Sequence, residues 1–192
     1  MKVLTVFSHP RRQSLSGAVL DAFTDGLRAA GHEVEIADLH GEGFDPVMIE
    51  ADEPDWDDSR KRYSAAVLQE QARITRNDAL AFVFPVWWWS LPAMLKGWID
   101  RVWNNGWAYG DTKLPHRRAV LLALAAGGAK SYRERGYLAA METQVVQGIM
   151  DYCGIADAKL HMLYDTLDSE EVRKGMLARA REIGRDFGGP EA

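Results

Sequence analysis

Short apolar segments alternate along this chain with longer segments whose apolar residues recur at helical spacing. Most of the short segments are continuous runs of β-branched, aromatic and other apolar residues, as expected of parallel strands buried on both faces. We predict strands at KVLTVF (2–7), HEVEIADL (32–39), ALAFVFPV (79–86), AVLLALA (119–125) and AKLHMLY (158–164). Strands that alternate with helices predict an α/β fold: a doubly wound, five-stranded parallel sheet with helices on both faces.

Helical spacing predicts helices over residues 15–30, 56–76, 91–103, 137–153 and 172–187. Gly31 stands where a C-terminal cap belongs, and Ser90 is the predicted N-cap of the third helix, with Pro92 in its first turn. The second helix is expected to lie on the surface. The acidic run 52–58 before it is expected to be a solvated face.

The 192 residues are enough for one large domain, and we expect a single domain over 1–192. A composition of 47% hydrophobic and 27% charged residues is ordinary for a globular protein. The net charge of −5 argues against a nucleic-acid partner. One cysteine, Cys153, excludes an internal disulfide and a multi-cysteine metal site. We find neither a membrane-spanning run nor a signal peptide and expect a cytoplasmic protein.

Parallel sheets of this kind bind ligands at the carboxyl ends of their strands, which makes 8–16, 85–90 and 125–136 the candidate site loops. The first loop, SHPRRQSLS, has neither a G-x-G-x-x-G nor a G-K-[ST] motif. It offers polar side chains, including His9, Ser14 and Ser16, at the start of a helix, where free N–H groups favour a phosphate. The alternative for each serine is simple helix capping.

Trp87, Trp88 and Trp89 follow the third predicted strand directly. Successive strand residues point to opposite faces, so at least one indole must leave the core. Exposed indoles are costly unless something covers them. A flat heteroaromatic ligand that stacks on the rings would do so, and a subunit interface is the alternative.

Four segments carry a resemblance to a known family: HPRRQSLSGA (9–18), FDP (44–46), FPVWWWSLPAMLKGWIDRVWNNGWAYG (84–110) and AAGGAKSY (125–132). Together they resemble the flavin-dependent NAD(P)H:quinone oxidoreductases of flavodoxin-like fold. That group includes the DT-diaphorases and the ancillary reductases of bacterial potassium-efflux systems. The resemblance runs through the whole chain in the right order.

The resemblance implies a non-covalent FAD or FMN, NAD(P)H as co-substrate, a quinone-like acceptor, ping-pong kinetics and a homodimer. It implies no metal. The flavin-binding residues that it implies are His9, Ser14, Ser16, Pro85, Val86, Trp87, Trp88, Trp89, Ala125, Ala126, Gly127 and Gly128. Trp107 and Tyr109 match positions that line the acceptor site in related enzymes, and Tyr132 matches a tyrosine that assists hydride transfer.

Two departures from the family pattern affect these roles. No histidine follows Tyr132, because Tyr137 stands roughly where the animal enzymes have one. Ala125 and Ala126 replace threonines, so only backbone bonds can come from these positions. The alternative functions are a flavodoxin-type electron carrier and a redox-sensing regulatory subunit of a membrane transporter. An azoreductase-type activity would be chemically continuous with quinone reduction.

Overall fold

The computed structural model describes residues 1–189. Within that range the strands are β1 Lys2–Phe7, β2 Glu33–Asp38, β3 Ala79–Pro85, β4 Arg118–Leu124 and β5 Asp157–Leu163. They form one all-parallel sheet in the order β2-β1-β3-β4-β5. The predicted doubly wound five-stranded sheet is therefore confirmed. The strand order reverses between β1 and β3, and the carboxyl ends of these two strands flank the expected ligand crevice.

The α-helices are α1 Leu15–Ala29, α2 Ala65–Thr75, α3 Ala93–Val102, α4 Ala129–Glu134, α5 Tyr137–Met141 and α6 Glu170–Asp186. Helices cover both faces of the sheet, and a separate apolar core lies on each face. On one face, Phe7 and Val83 pack with α1 and α6. On the other, Phe82 and Phe84 pack with α3 and with the segment after α5.

The second helix begins nine residues later than predicted, at Ala65 rather than Trp56. The reason is Asp52, a fully buried member of the acidic run that we expected to be solvated. Its carboxylate accepts hydrogen bonds from the Ser64 backbone N–H at 2.8 Å and from the Arg101 Nη2 at 2.6 Å. These bonds hold 52–64 in an irregular path, and Ser64 then caps α2 by accepting a bond from the Val67 N–H.

The third helix also begins later than predicted, because Pro92 and not Ser90 is its N-cap. The Ser90 hydroxyl instead donates to the Gln144 Oε1 at 2.8 Å. Gln144 belongs to the segment Glu142–Asp151, where the predicted fourth helix continues from α5 as a π-helix. The contact ties the tryptophan loop to that segment.

Within residues 1–189, no helix is long and apolar enough to cross a membrane.

Candidate functional site

The loop between β1 and α1 leads into a helix start whose first N–H groups have no acceptor within the helix. Ser14 is the N-cap and accepts a bond from the Gly17 N–H at 3.2 Å, so the capping alternative is confirmed for its side chain. The first intrahelical bond runs from the Ala18 N–H to the Ser14 carbonyl. The N–H groups of Leu15 and Ser16 lie ahead of that bond and have no intrahelical acceptor. They remain available to an anion, as does the positive end of the 15-residue helix.

His9 lies in the same loop, next to the tryptophan segment. Its Nδ1 lies 3.0 Å from both the N–H and the carbonyl oxygen of Arg11. In the tautomer whose Nδ1 accepts from the N–H, Nε2 carries the proton and can donate to an anion. Burial and the nearby Arg11 charge lower the pKa of His9, although the hydrogen bond to the Arg11 backbone opposes them. The ring is therefore neutral at pH 7. Its centroid lies 6.3 Å from that of Trp87, so the loops after β1 and β3 are in contact.

The three tryptophans and Ser90 form a β-turn, with Trp88 and Trp89 as its two central residues. Backbone bonds join Trp87 and Ser90 in both directions, at 3.3 and 3.1 Å. The two central residues have positive φ angles, 51° at Trp88 and 55° at Trp89. A type I′ turn requires this conformation, which normally selects Asn and Gly. Bulky residues in the left-handed region cost about 1 kcal/mol or more each, and such strain concentrates at functional sites.

This strain predicts that Trp88→Asn will leave the stability of the ligand-free protein unchanged or raise it by up to about 1 kcal/mol. Trp88 is 86% exposed, so truncation removes little buried area, while asparagine tolerates positive φ. Urea denaturation of the ligand-free protein measures the effect. Trp56→Asn is the matched control, because Trp56 is 73% exposed and has no positive φ. A loss of more than 1 kcal/mol in Trp88→Asn would contradict the idea that the turn is strained.

The turn forms one side of a cavity of about 370 Å³ at the carboxyl ends of β3 and β4. This volume is within the range of small-molecule sites. The residues that line the cavity are Val86, Trp88, Trp89, Ala126, Gly127, Ser131, Tyr132, Arg135 and Tyr137. The structure thus brings together five of the predicted flavin-binding residues and the predicted catalytic Tyr132.

The aromatic rings of the cavity are in mutual contact. The Trp89 and Tyr137 rings lie 4.5 Å apart at 31°, and Tyr132 contacts Tyr137 edge-on at 5.9 Å. Burial raises the pKa of Tyr132, and the neighbouring Tyr164 and Tyr137 add to the effect. The Tyr132 hydroxyl is therefore protonated at neutral pH and can act only as a neutral hydrogen-bonding group.

The predicted site residues that do not line this cavity are His9, Ser14, Ser16, Pro85, Trp87, Trp107, Tyr109, Ala125 and Gly128. The Trp87 ring instead faces His9, in the loop between β1 and α1. The Tyr109 ring lies 5.8 Å from that of Trp56 and 5.9 Å from that of Tyr152, and burial raises its pKa. Trp107 lies beside it in the chain and packs against the α3 face of the core. The acceptor-site role of Trp107 and Tyr109 stays a prediction.

Sequence reasoning left three cavity residues without a role: Ser131, Arg135 and Tyr137. For two of them the sequence carries a signal: Ser131 and Arg135 are four residues apart, a spacing that places residues on the same face of a helix. The segment 125–136, predicted as a loop, contains α4. Gly136 has a φ of 74°, ends α4 and starts α5, and Tyr137 follows it with its ring against Trp89.

These residues fit a flavin. An aromatic cavity suits a flat heterocycle, and a helix start with two free N–H groups suits a phosphate. The two features are connected by the His9–Trp87 contact. Gly127 has no side chain to fill its side of the cavity. An added Cβ there would lie 3.4 Å from the Tyr132 ring, in van der Waals contact with it. In the described part of the chain, no cluster of His, Cys, Asp and Glu could hold a metal ion.

Comparisons with known proteins agree with this geometry. A family model described as flavodoxin-like fold matches residues 1–185. A protein of Escherichia coli K12 named as an uncharacterized NAD(P)H oxidoreductase is 38% identical over 189 residues, which are 95% of this chain and 96% of that protein. The human ribosyldihydronicotinamide dehydrogenase [quinone] is 29% identical over 202 residues, covering 92% of this chain and 87% of that enzyme.

Among solved structures, the NAD(P)H:quinone oxidoreductase from Methanothermobacter marburgensis superposes with a TM-score of 0.95 at 33% identity. The match covers all of this chain and 98% of that one. The family assignment rests on the match over residues 1–185. The sheet order β2-β1-β3-β4-β5 agrees with it. The chain belongs to the flavodoxin-like fold family and is related throughout its length to NAD(P)H oxidoreductases.

Proposed function

We propose that this protein is a flavin-dependent NAD(P)H:quinone oxidoreductase. The observation that carries the proposal is the cavity of indole and phenol rings, next to a helix start with free N–H groups. The relatives in E. coli and human and the archaeal structure, all named as NAD(P)H or quinone oxidoreductases, support it. A bound FAD or FMN would supply the two-electron redox chemistry between NAD(P)H and the acceptor.

The residues of the chain bind and orient the reactants. The α1 start, His9 Nε2 and the Ser14 and Ser16 region hold the flavin phosphate. The backbone of Pro85–Trp89 and of Ala125–Gly128 surrounds the ring. Tyr132, which keeps its proton, would donate a hydrogen bond to a ring bound in the cavity and so stabilise negative charge on it.

Donor and acceptor use the same aromatic cavity in turn, which is the basis of the ping-pong order that we propose. Stacking on Trp88 and Trp89 requires no specific polar group on the acceptor. This permits quinones of different shape, and azo compounds as an extension.

We further propose a cytoplasmic homodimer. Trp56 and Tyr152 are 73% and 54% exposed on either side of Tyr109, an aromatic surface of the kind that marks protein interfaces. In a dimer, Tyr109 and Trp107 would meet the acceptor beside the partner subunit. Light scattering of the purified protein gives the oligomeric state.

The proposed function predicts a yellow protein with one flavin per chain. We expect anaerobic NADH or NADPH to bleach the flavin absorbance and menadione to restore it in a second step. Stopped-flow absorbance measures both half-reactions, and steady-state rates should give parallel lines in double-reciprocal plots. A protein that takes up neither FMN nor FAD refutes the proposal. Flavin that stays oxidised with both nicotinamides indicates an electron carrier instead.

A further inference from the structure

The charge at the rim of the aromatic cavity is positive. Small or apolar residues, Val86, Ala126 and Gly127, line one part of the cavity, and indole and phenol rings line most of the rest. The one ionised side chain among the described lining residues is Arg135, and none of these residues is acidic. An acidic protein with a net charge of −5 thus places a cation where a ligand enters.

The Arg135 guanidinium is available to a ligand. Arg135 is exposed, and in the part of the chain that the structure describes its side chain has neither an ion pair nor a hydrogen bond. Another cation of α4 differs, since Lys130 lies 3.8 Å from the Glu134 carboxylate. The Arg135 backbone is fixed, because its N–H caps α4 with bonds to the Ser131 and Arg133 carbonyls. A fixed backbone keeps Arg135 beside the cavity, within reach of a ligand at the rim.

We propose that Arg135 selects acceptors whose aromatic ring carries an acidic group, such as a carboxylate or a sulfonate. The inference rests on the proposed function and specifies its substrate class. The flat ring of the acceptor stacks between the indole turn and the phenol rings, and its anionic substituent meets Arg135 at the rim. Guanidinium matches both oxygens of a carboxylate or two of a sulfonate in a bidentate pair, a geometry that ammonium lacks.

An anionic acceptor is attracted by Arg135 itself rather than by the net charge of the protein. The overall negative charge of the protein repels an anionic acceptor, so a general field gives no preference for it. A cation beside an aromatic wall attracts a bound anion at short range. Because the wall excludes some of the water, salt screens this attraction less than it screens a pair on an open surface. The preference must therefore depend on this one side chain.

The test compares two ligands that differ mainly in charge, anthraquinone-2-sulfonate and the neutral 2-(hydroxymethyl)anthraquinone. Flavin content is measured first, and the dissociation constants are then measured on the flavin-loaded protein by quenching of tryptophan fluorescence. We expect the wild-type protein to bind the sulfonate about tenfold more tightly. Arg135→Gln should remove this preference, and Arg135→Lys should keep only part of it.

Arg133→Gln is the matched control. Arg133 is exposed, lies two residues away and lines a different cavity, so its removal changes the net charge equally without touching the rim. An equal loss of preference in Arg133→Gln, or no preference in the wild-type protein, would overturn the inference. If Arg135→Gln instead raises the Michaelis constant for NADPH but not for NADH, the anion is a dinucleotide phosphate and the acceptor assignment is wrong.

The same measurements separate this inference from the proposed function. A protein without flavin, or one whose flavin does not react with NADH or NADPH, refutes the proposed function. A protein that is reduced by nicotinamide and oxidised by quinone but does not discriminate between the two probes refutes only the role of Arg135.

Discussion

Replacing Asp52 with alanine should destabilise the fold by about 3–5 kcal/mol, because it leaves the Arg101 charge buried without a counter-ion. The Asp52 side chain is fully buried and that of Arg101 is 5% exposed. Arg101 donates two hydrogen bonds to the Asp52 carboxylate, at 2.6 and 3.2 Å. Its remaining Nη1 donates to the Asp45 carbonyl, and the guanidinium lies over the Phe44 ring.

Chemical denaturation of Asp52→Ala measures this loss. Asp100→Ala is the control on the same helix, since the Lys96–Asp100 pair is exposed and is worth about 0.5 kcal/mol or less. The double variant Asp52→Leu with Arg101→Met should recover part of the stability, because a buried pair can be replaced by apolar groups at little cost, while the bonds from Ser64 to Asp52 stay lost. A loss below 1 kcal/mol in Asp52→Ala would show that water reaches Arg101.

The pair also predicts a pH dependence of stability. Burial raises the pKa of Asp52, but hydrogen bonds from Arg101 and Ser64 outweigh burial and lower the pKa below its ordinary value. A carboxylate with a depressed folded-state pKa stabilises the fold above its unfolded pKa of about 3.9 and loses that contribution as the pH falls through the folded value. The extra acid sensitivity should be absent from the Asp52→Leu, Arg101→Met variant.

The sheet could be predicted from sequence because its strands have a strong, local signal. β3 is buried at all seven residues and β4 at six of seven, and a continuous apolar run of that length has few other uses. Trp98 and Trp103 could be placed in the core for a similar reason, since both lie on the apolar stripe of α3. They are 0% and 4% exposed.

The segment 52–64 could not be predicted, because its structure depends on a partner that is distant in sequence. Asp52 looks like any residue of an acidic run until Arg101, 49 positions later, is brought against it by α3. The same applies to the cavity rim. The spacing of Ser131 and Arg135 predicts a shared helix face, but the proposed role of Arg135 follows only from the placement of α4 beside the tryptophan turn.

Replacing Gly17 with alanine should weaken flavin binding by about 100-fold, while the fold is retained. A Cβ at Gly17 would overlap the carbonyl oxygen of Arg12, a backbone atom that cannot rotate away. The loop 8–14 must therefore move from the start of α1, and His9 and the cap at Ser14 move with it. Charge-assisted bonds to phosphate contribute about 1.5–3 kcal/mol each, so losing two of them accounts for two decades.

Titration of the flavin-free protein with FMN and FAD, followed by flavin fluorescence, gives the dissociation constants. Gly175→Ala is the neutral control, because nothing lies within 4 Å of a Cβ there and alanine stabilises an exposed helix by up to about 1 kcal/mol. Gly26→Ala separates stability from binding. Its Cβ would overlap the Arg181 carbonyl in the contact between α1 and α6, so it should lower the melting temperature without changing flavin affinity. If Gly17→Ala and Gly26→Ala lower flavin affinity equally, the effect reflects global stability, and the phosphate does not bind at the start of α1.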